Sequence, residues 1–229
     1  QLFHIDNLIV EEITLEEWTQ DCLQIKQCTN VIVRNNLIRN VNDGAIEFRG
    51  GSDVWVYNNK VENCRDGFIT KRYEAVGGDP EFYGERYHVY DNALHVFGTG
   101  INMFWVNNSE FRSNDIIPIT SGVIGINLQD HPDPIAKRDN RELGGVKILN
   151  NTFYGSTTNT FIRFVTPADA VYIAPNEVSG NRITGTCGAG IYLTGWVHAR
   201  NNTVGVTTAV TDNDGLRVTM AGGACSLGN

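Results

Sequence analysis

The feature that most constrains this 229-residue chain is an asparagine pair that keeps returning at the end of a short apolar–polar run. Asn35-Asn36 follows Val31-Ile32-Val33-Arg34, and Asn58-Asn59 follows Val54-Trp55-Val56-Tyr57 with a spacing of 23. The arrangement recurs at Asp91-Asn92, Asn107-Asn108, Asn150-Asn151 and Asn201-Asn202. A looser copy ends at Asn181 and an early one at Asn7. Each unit runs on into a second short segment. Asn40-Val41-Asn42-Asp43-Gly44-Ala45-Ile46 matches Asn63-Cys64-Arg65-Asp66-Gly67-Phe68-Ile69 at the same offset. Periods of this size signify stacked supersecondary units. The runs alternate apolar with polar and are separated by Gly, Asn and Asp, which reads as short strands and turns. No segment has sustained helical periodicity.

A unit of some twenty residues cannot bury its apolar face alone, but stacked on a neighbour it can. An Asn inside each turn is costly unless paired. In a stack, the amide of one Asn donates to the carbonyl of the next, so a ladder satisfies the turns and fixes the register. With these coils, the sequence resembles the right-handed parallel β-helix proteins of the pectate-lyase-like superfamily over about residues 4–218. The resemblance implies an all-β solenoid, here read as a single domain over 1–229 of about eight coils. It implies no single activity, because one fold hosts many chemistries. Asn107, Asn150 and Asn201 also open formal N-glycosylation sequons, but each belongs to the expected ladder.

Composition narrows the function classes. A net charge of -8 and a pI near 5.1 argue against nucleic-acid binding. No run of eighteen apolar residues exists, so membrane insertion is not expected. Cys22, Cys28, Cys64, Cys187 and Cys225 form no C-x-x-C motif and read as buried thiols. The chain opens on Gln1 without a basic, apolar leader, so it is expected to be a processed or excised piece of a longer one.

Period-two alternation in the strand after each ladder Asn defines an outward column. With Ile25, Phe48, Ile69, Ile101, Ile126, Ile162 and Ile191 inward, it reads Gln24, Glu47, Thr70, Asn102, Asn127, Arg163, Tyr192. A second column beside it begins Lys26, Arg49, Arg72. Irregular spacing identifies two insertions, 71–86 and 130–145, leaving the same edge. Long loops flanking a polar strip make a groove wall. On an acidic chain this strip is locally basic through Lys26, Arg49, Lys71, Arg72 and Arg163, which suits an anionic ligand. Its amides and hydroxyls suit sugars, so an acidic polysaccharide is the expected ligand.

Two reactions compete with plain binding. β-Elimination on a uronate polymer needs a cation on the carboxylate and a base for the adjacent proton. Lys71 and Arg72 are the candidate bases, and Arg49 and Arg163 the neutralising cations. Glu47 with Asp43 or Asp66 can supply oxygen ligands for Ca²⁺, which the resemblance permits. A hydrolase needs two carboxyl groups. Glu47 is the sole carboxylate of the outward column, so a partner would have to come from Glu74, Asp79, Asp130 or Asp133, with His131 as an acid–base candidate. The rival reading is a non-catalytic receptor- or polysaccharide-binding module of the phage-tailspike type. In that reading a homotrimer covers the open ends of the solenoid. Either reading implies an extracellular or virion-surface setting.

Overall fold

The computed structural model describes residues 1–71, 84–104, 106–129, 142–165, 171–172, 174–208, 216–219 and 226–228. Among these, every regular element is a β-strand, and every paired strand is parallel to its neighbour. The chain winds as a right-handed parallel β-helix with three walls. In one coil, Thr29–Arg34 lies on the first wall, and Leu37–Arg49 then bends to supply the second and third. The next coil begins at Gly51–Tyr57, directly above Thr29–Arg34.

Among the described residues, the first wall is a sheet of nine successive strands from Ile9–Glu11 to Ser226–Gly228, with Val106–Asn107 pairing at its side. β-Branched residues fill most of the inward positions, as their fit to a pleated half-buried surface favours. Val31, Val54, Tyr87, Phe111, Ile148, Val178 and Val197 are all buried. The core is a single cluster running along the axis, joined by Ile46, Phe68, Ile101, Ile126, Ile162 and Ile191 from the third wall. Three of the expected thiols, Cys28, Cys64 and Cys187, are buried in it, and Cys22 is half-buried. Burial pushes the Cys22, Cys64 and Cys187 thiols up to about 11, so they remain protonated small apolar groups. Cys225 lies outside the described residues.

The corner between the first and second walls holds the asparagine row. Asn36, Asn59, Asn92, Asn114, Asn151, Asn181 and Asn202 are linked in sequence, each Nδ2 donating to the next Oδ1 at 2.9–3.0 Å. Each Oδ1 from Asn59 onward also accepts the backbone N–H of the preceding member, at 2.9–3.2 Å. The residue before each one is in the left-handed region: Asn35, Asn58, Asp91, Ser113, Asn150, Gly180 and Asn201, with φ between 52° and 66°. The repeated pair thus divides its labour. The first residue turns the chain, as Asn, Asp and Gly do cheaply, and the second satisfies the corner.

This corrects two expected members. Asn107-Asn108 lies at the start of the first wall, where Val106–Asn107 pairs with Gly84–Glu85. The corner of that coil comes later, at Ser113-Asn114, after Glu110–Arg112 has paired with His88–Tyr90. Asn7 accepts from Asn30 Nδ2 at an exposed position instead. The sequon asparagine Asn107 therefore stands apart from the ladder, while Asn150 and Asn201 are exposed turn residues preceding it.

Candidate functional site

Two strands of the third wall, ending at Lys71 and Gln129, lead in sequence into the two insertions. Backbone register settles the columns on that wall's outer face. Gln24 pairs with Glu47, Glu47 with Ile69, Ile69 with Asn102, and then Asn127, Arg163 and Tyr192 follow in turn. Six of the seven expected residues share this column. Thr70 does not: it pairs with Phe48 and Met103. It is 2% exposed, and its hydroxyl accepts the Phe104 N–H at 3.1 Å and donates to the Phe104 carbonyl at 3.2 Å.

The cause is a change of register at the bend. Val41 pairs with Cys64, but Gly44 pairs with Asp66, so Leu37–Arg49 spends one residue more between the two walls. A bulge of one residue exchanges the faces of everything after it. Phe68 takes the inward place between Ile46 and Ile101, and Ile69 turns outward. Alternation alone could not reveal this, because Phe68 and Ile69 are both apolar and either fits the core. The neighbouring column is corrected in the same way: Arg49 pairs with Lys71, not Arg72.

The column falls into two parts. At one end Glu47 is 0% exposed and Ile69 2%. The Glu47 carboxylate is held by the Arg49 guanidinium through Nε, and Gln24 Nε2 donates to Oε2 at 3.3 Å. Gln24 Nε2 also donates to Asp21 Oδ2 at 2.9 Å, and Asp21 Oδ1 accepts the Gly44 N–H at 3.0 Å. Asp21 was not singled out by the repeat, since it lies before the strand that the alternation begins with. A Cβ on Gly44 would stand 2.7 Å from both Asp21 Oδ1 and Ile69 Cδ1, so a larger residue here would push both side-chain ends aside.

At the other end Asn102, Arg163 and Tyr192 are partly exposed. Asn127 Nδ2 donates to Asn102 Oδ1 at 3.0 Å, and Arg163 Nη1 donates to Asn127 Oδ1 at 3.4 Å. This row is oriented: a guanidinium points an amide, which points the next amide. Tyr192 continues it in register with Arg163, and Arg217 follows Tyr192 along the backbone.

The three carboxylates expected to hold Ca²⁺ are committed elsewhere. Glu47 serves Arg49. Asp43 stands in the bulge, 3.6 Å from Arg65 Nη1. Asp66 Oδ1 accepts the Thr99 N–H at 2.6 Å, and burial pushes its carboxyl pKa up, with Asp43 adding to the rise. Among the described residues no three His, Cys, Asp or Glu side chains converge on a metal position. Among the described residues the carboxylate set does not fit a calcium site.

Lys71 is described only as a backbone position at the end of Lys60–Lys71. Arg72, Glu74, Asp79, Asp130, His131 and Asp133, with most of both insertions, lie outside the described residues.

A family described as "Right handed beta helix region" matches residues 2–205. The chain belongs to that family. Among solved structures it is similar to the A-module of a mannuronan C-5 epimerase from Azotobacter vinelandii, with a TM-score of 0.58 and 17% identity over 96% of this chain and 58% of that one. It is similar to a surface protein and adhesin of Streptococcus pneumoniae, with a TM-score of 0.57 and 11% identity over 98% and 67%. DFA-IIIase from Arthrobacter chlorophenolicus aligns with a TM-score of 0.54 and 14% identity over 88% and 47%. These likenesses establish the fold. The chain spans 58% of the epimerase module and 47% of DFA-IIIase. No curated protein matches it by sequence.

Proposed function

We propose that this β-helix engages an acidic polysaccharide along the outer face of its third wall, with Asn102, Arg163 and Tyr192 as the contact strip and the buried Asn127 orienting Asn102. The observation that carries the reading is the oriented row Arg163–Asn127–Asn102, repeated at the rise of the coils, with both ends partly open to solvent and Asn127 buried between them. Successive members lie about 4.8 Å apart, a rhythm that suits a chain of sugars. Arg163 supplies the positive charge for a uronate carboxylate, and the Asn102 amide and the phenol supply hydroxyl partners. A mannuronan C-5 epimerase module that shares the fold supports a glycan ligand.

The chemistry we favour on that ligand is β-elimination. Arg163 neutralises the carboxylate, and Lys71, the last residue of Lys60–Lys71, or Arg72, next in sequence, takes the adjacent proton as the bond to the glycosidic oxygen breaks and the leaving sugar takes a proton from water. Glu47 is not an acid or base in this reading, because it is buried and ion-paired to Arg49. That same burial favours one rival, a non-catalytic binding module within a larger extracellular or virion assembly. Hydrolysis is disfavoured, since among the described residues the outward column offers no exposed carboxylate for the pair it needs.

The test is incubation of the chain with a panel of uronate polymers, with and without chelator, followed by ultraviolet absorbance of the unsaturated product. Elimination gives new absorbance that disappears in Lys71→Ala with Arg72→Ala. Binding without product supports the module. Absence of binding to every acidic polymer overturns the proposal.

A further inference from the structure

The first wall also has an outer face, and its two halves differ. In the earlier coils its columns are closed. Trp55 stacks on His88 with centroids 5.7 Å apart, and Tyr57 on Tyr90 at 4.9 Å. The Arg112 guanidinium lies 4.3 Å over Tyr90, and Arg34 Nη1 donates to Tyr57 Oη at 3.0 Å. Ring faces that could lie against a sugar are thereby spent on one another.

In the later coils the columns open. Arg112 is followed in register by Leu149, Ser179 and Arg200, and Glu110 by Lys147, Glu177 and His198. A cavity of about 390 Å³ lies here, with Lys147, Pro175, Glu177, His198 and Arg200 among its lining residues. Its acidic groups are already matched. Glu110 is bonded to Arg112 Nε at 2.8 Å. Glu177 Oε1 accepts Arg200 Nη2 at 2.8 Å, Arg200 Nε at 3.1 Å and Ser179 Oγ at 2.8 Å. The Arg200 hydrogen bonds hold the Glu177 carboxyl below its ordinary range, so it stays ionised. All three of these bonds fall on Oε1. Lys147, exposed at one rim beside Glu177, makes no close ion pair among the described residues, and its charge helps lower the Glu177 carboxyl; His198 lies two coils along the same column.

We infer that this groove is a second carbohydrate-binding site, taking one acidic sugar residue with its carboxylate on Lys147 and its hydroxyls on Glu177 and His198. A cation beside an ionised acceptor matches a ligand that carries both an anion and hydroxyl donors. A simple anion would meet Glu177 and be repelled by it, and a neutral sugar would leave Lys147 unused. The inference rests on neither Arg163 nor the third wall.

The experiment is titration of the full chain with glucuronate, with glucose as the neutral control, followed by amide chemical shifts. Saturable shifts are expected at Lys147, Glu177, His198 and Arg200 with glucuronate alone. Lys147→Ala should weaken that binding about tenfold or more, the scale of a charged hydrogen bond, and Lys147→Arg should retain most of it. Arg163→Gln should leave these shifts unchanged, which separates this site from the third-wall strip. No shift at these residues, equal shifts with glucose, or unaltered affinity in Lys147→Ala would each overturn the inference.

Discussion

Two rows of asparagine amides run along this solenoid, and they are put to opposite ends. At the corner, Asn36 to Asn202 are linked through both amide atoms and the backbone, and Asn114 and Asn151 are fully buried. On the third wall, Asn102 and Asn127 share one bond and take their direction from Arg163. The corner row leaves its amides nothing to offer a ligand. The wall row keeps Asn102 partly exposed. The residue type is the same, and under the proposed function the number of satisfied atoms separates a row that serves the fold from one left to meet a ligand.

Substitution sharpens that contrast most at the corner. Asn114→Ala removes the acceptor of Asn92 N and Nδ2 and the donor to Val89 O and Asn151 Oδ1. Several buried groups lose partners at once, so stability should fall by about 3 kcal/mol or more, read by denaturant unfolding. The closed end of the wall column comes next. Glu47→Gln leaves Arg49 without its counter-charge, and because that guanidinium is one-third exposed the loss should be about 2 kcal/mol, below the cost of a fully buried pair.

Asp66 gives a smaller effect with a defined sign. Its folded carboxyl holds a proton more tightly than in the unfolded chain. Stability from this group is therefore present at low pH and lost as pH rises from the ordinary carboxylate range through the raised folded value. Asp66→Asn should match the parent chain below that window and exceed it above, in melting curves across pH. Asn102→Ala should move stability least, within about 0.5 kcal/mol, while weakening binding of an acidic glycan.

Much of this was legible in the sequence because period and chemistry agreed. The pairs Asn35-Asn36, Asn58-Asn59 and Asn150-Asn151 announce both a left-handed turn and an amide to bond the next coil. Ser113-Asn114 was hidden because Ser replaces the first residue, and Asn107-Asn108 misled because it has the right letters at the wrong corner. The outward positions of Asn102, Asn127, Arg163 and Tyr192 followed from apolar neighbours on each side. Thr70 did not, since Phe68-Ile69 offers two apolar residues and the bulge at Asp43 chooses between them. The groove at Lys147 and Glu177 was hidden for another reason: its lining comes from three successive coils, and alternation carries no measure of the space left between side chains.

The central claim is that the third-wall row binds rather than braces. The most direct measurement is calorimetric titration of a soluble acidic polysaccharide into the parent chain and into Asn102→Ala with Arg163→Gln, with melting midpoints recorded on the same samples. The account expects closely similar midpoints and at least a tenfold loss of affinity, about 1.4 kcal/mol. Unchanged affinity, or a loss that appears only together with a collapse in melting, would contradict it.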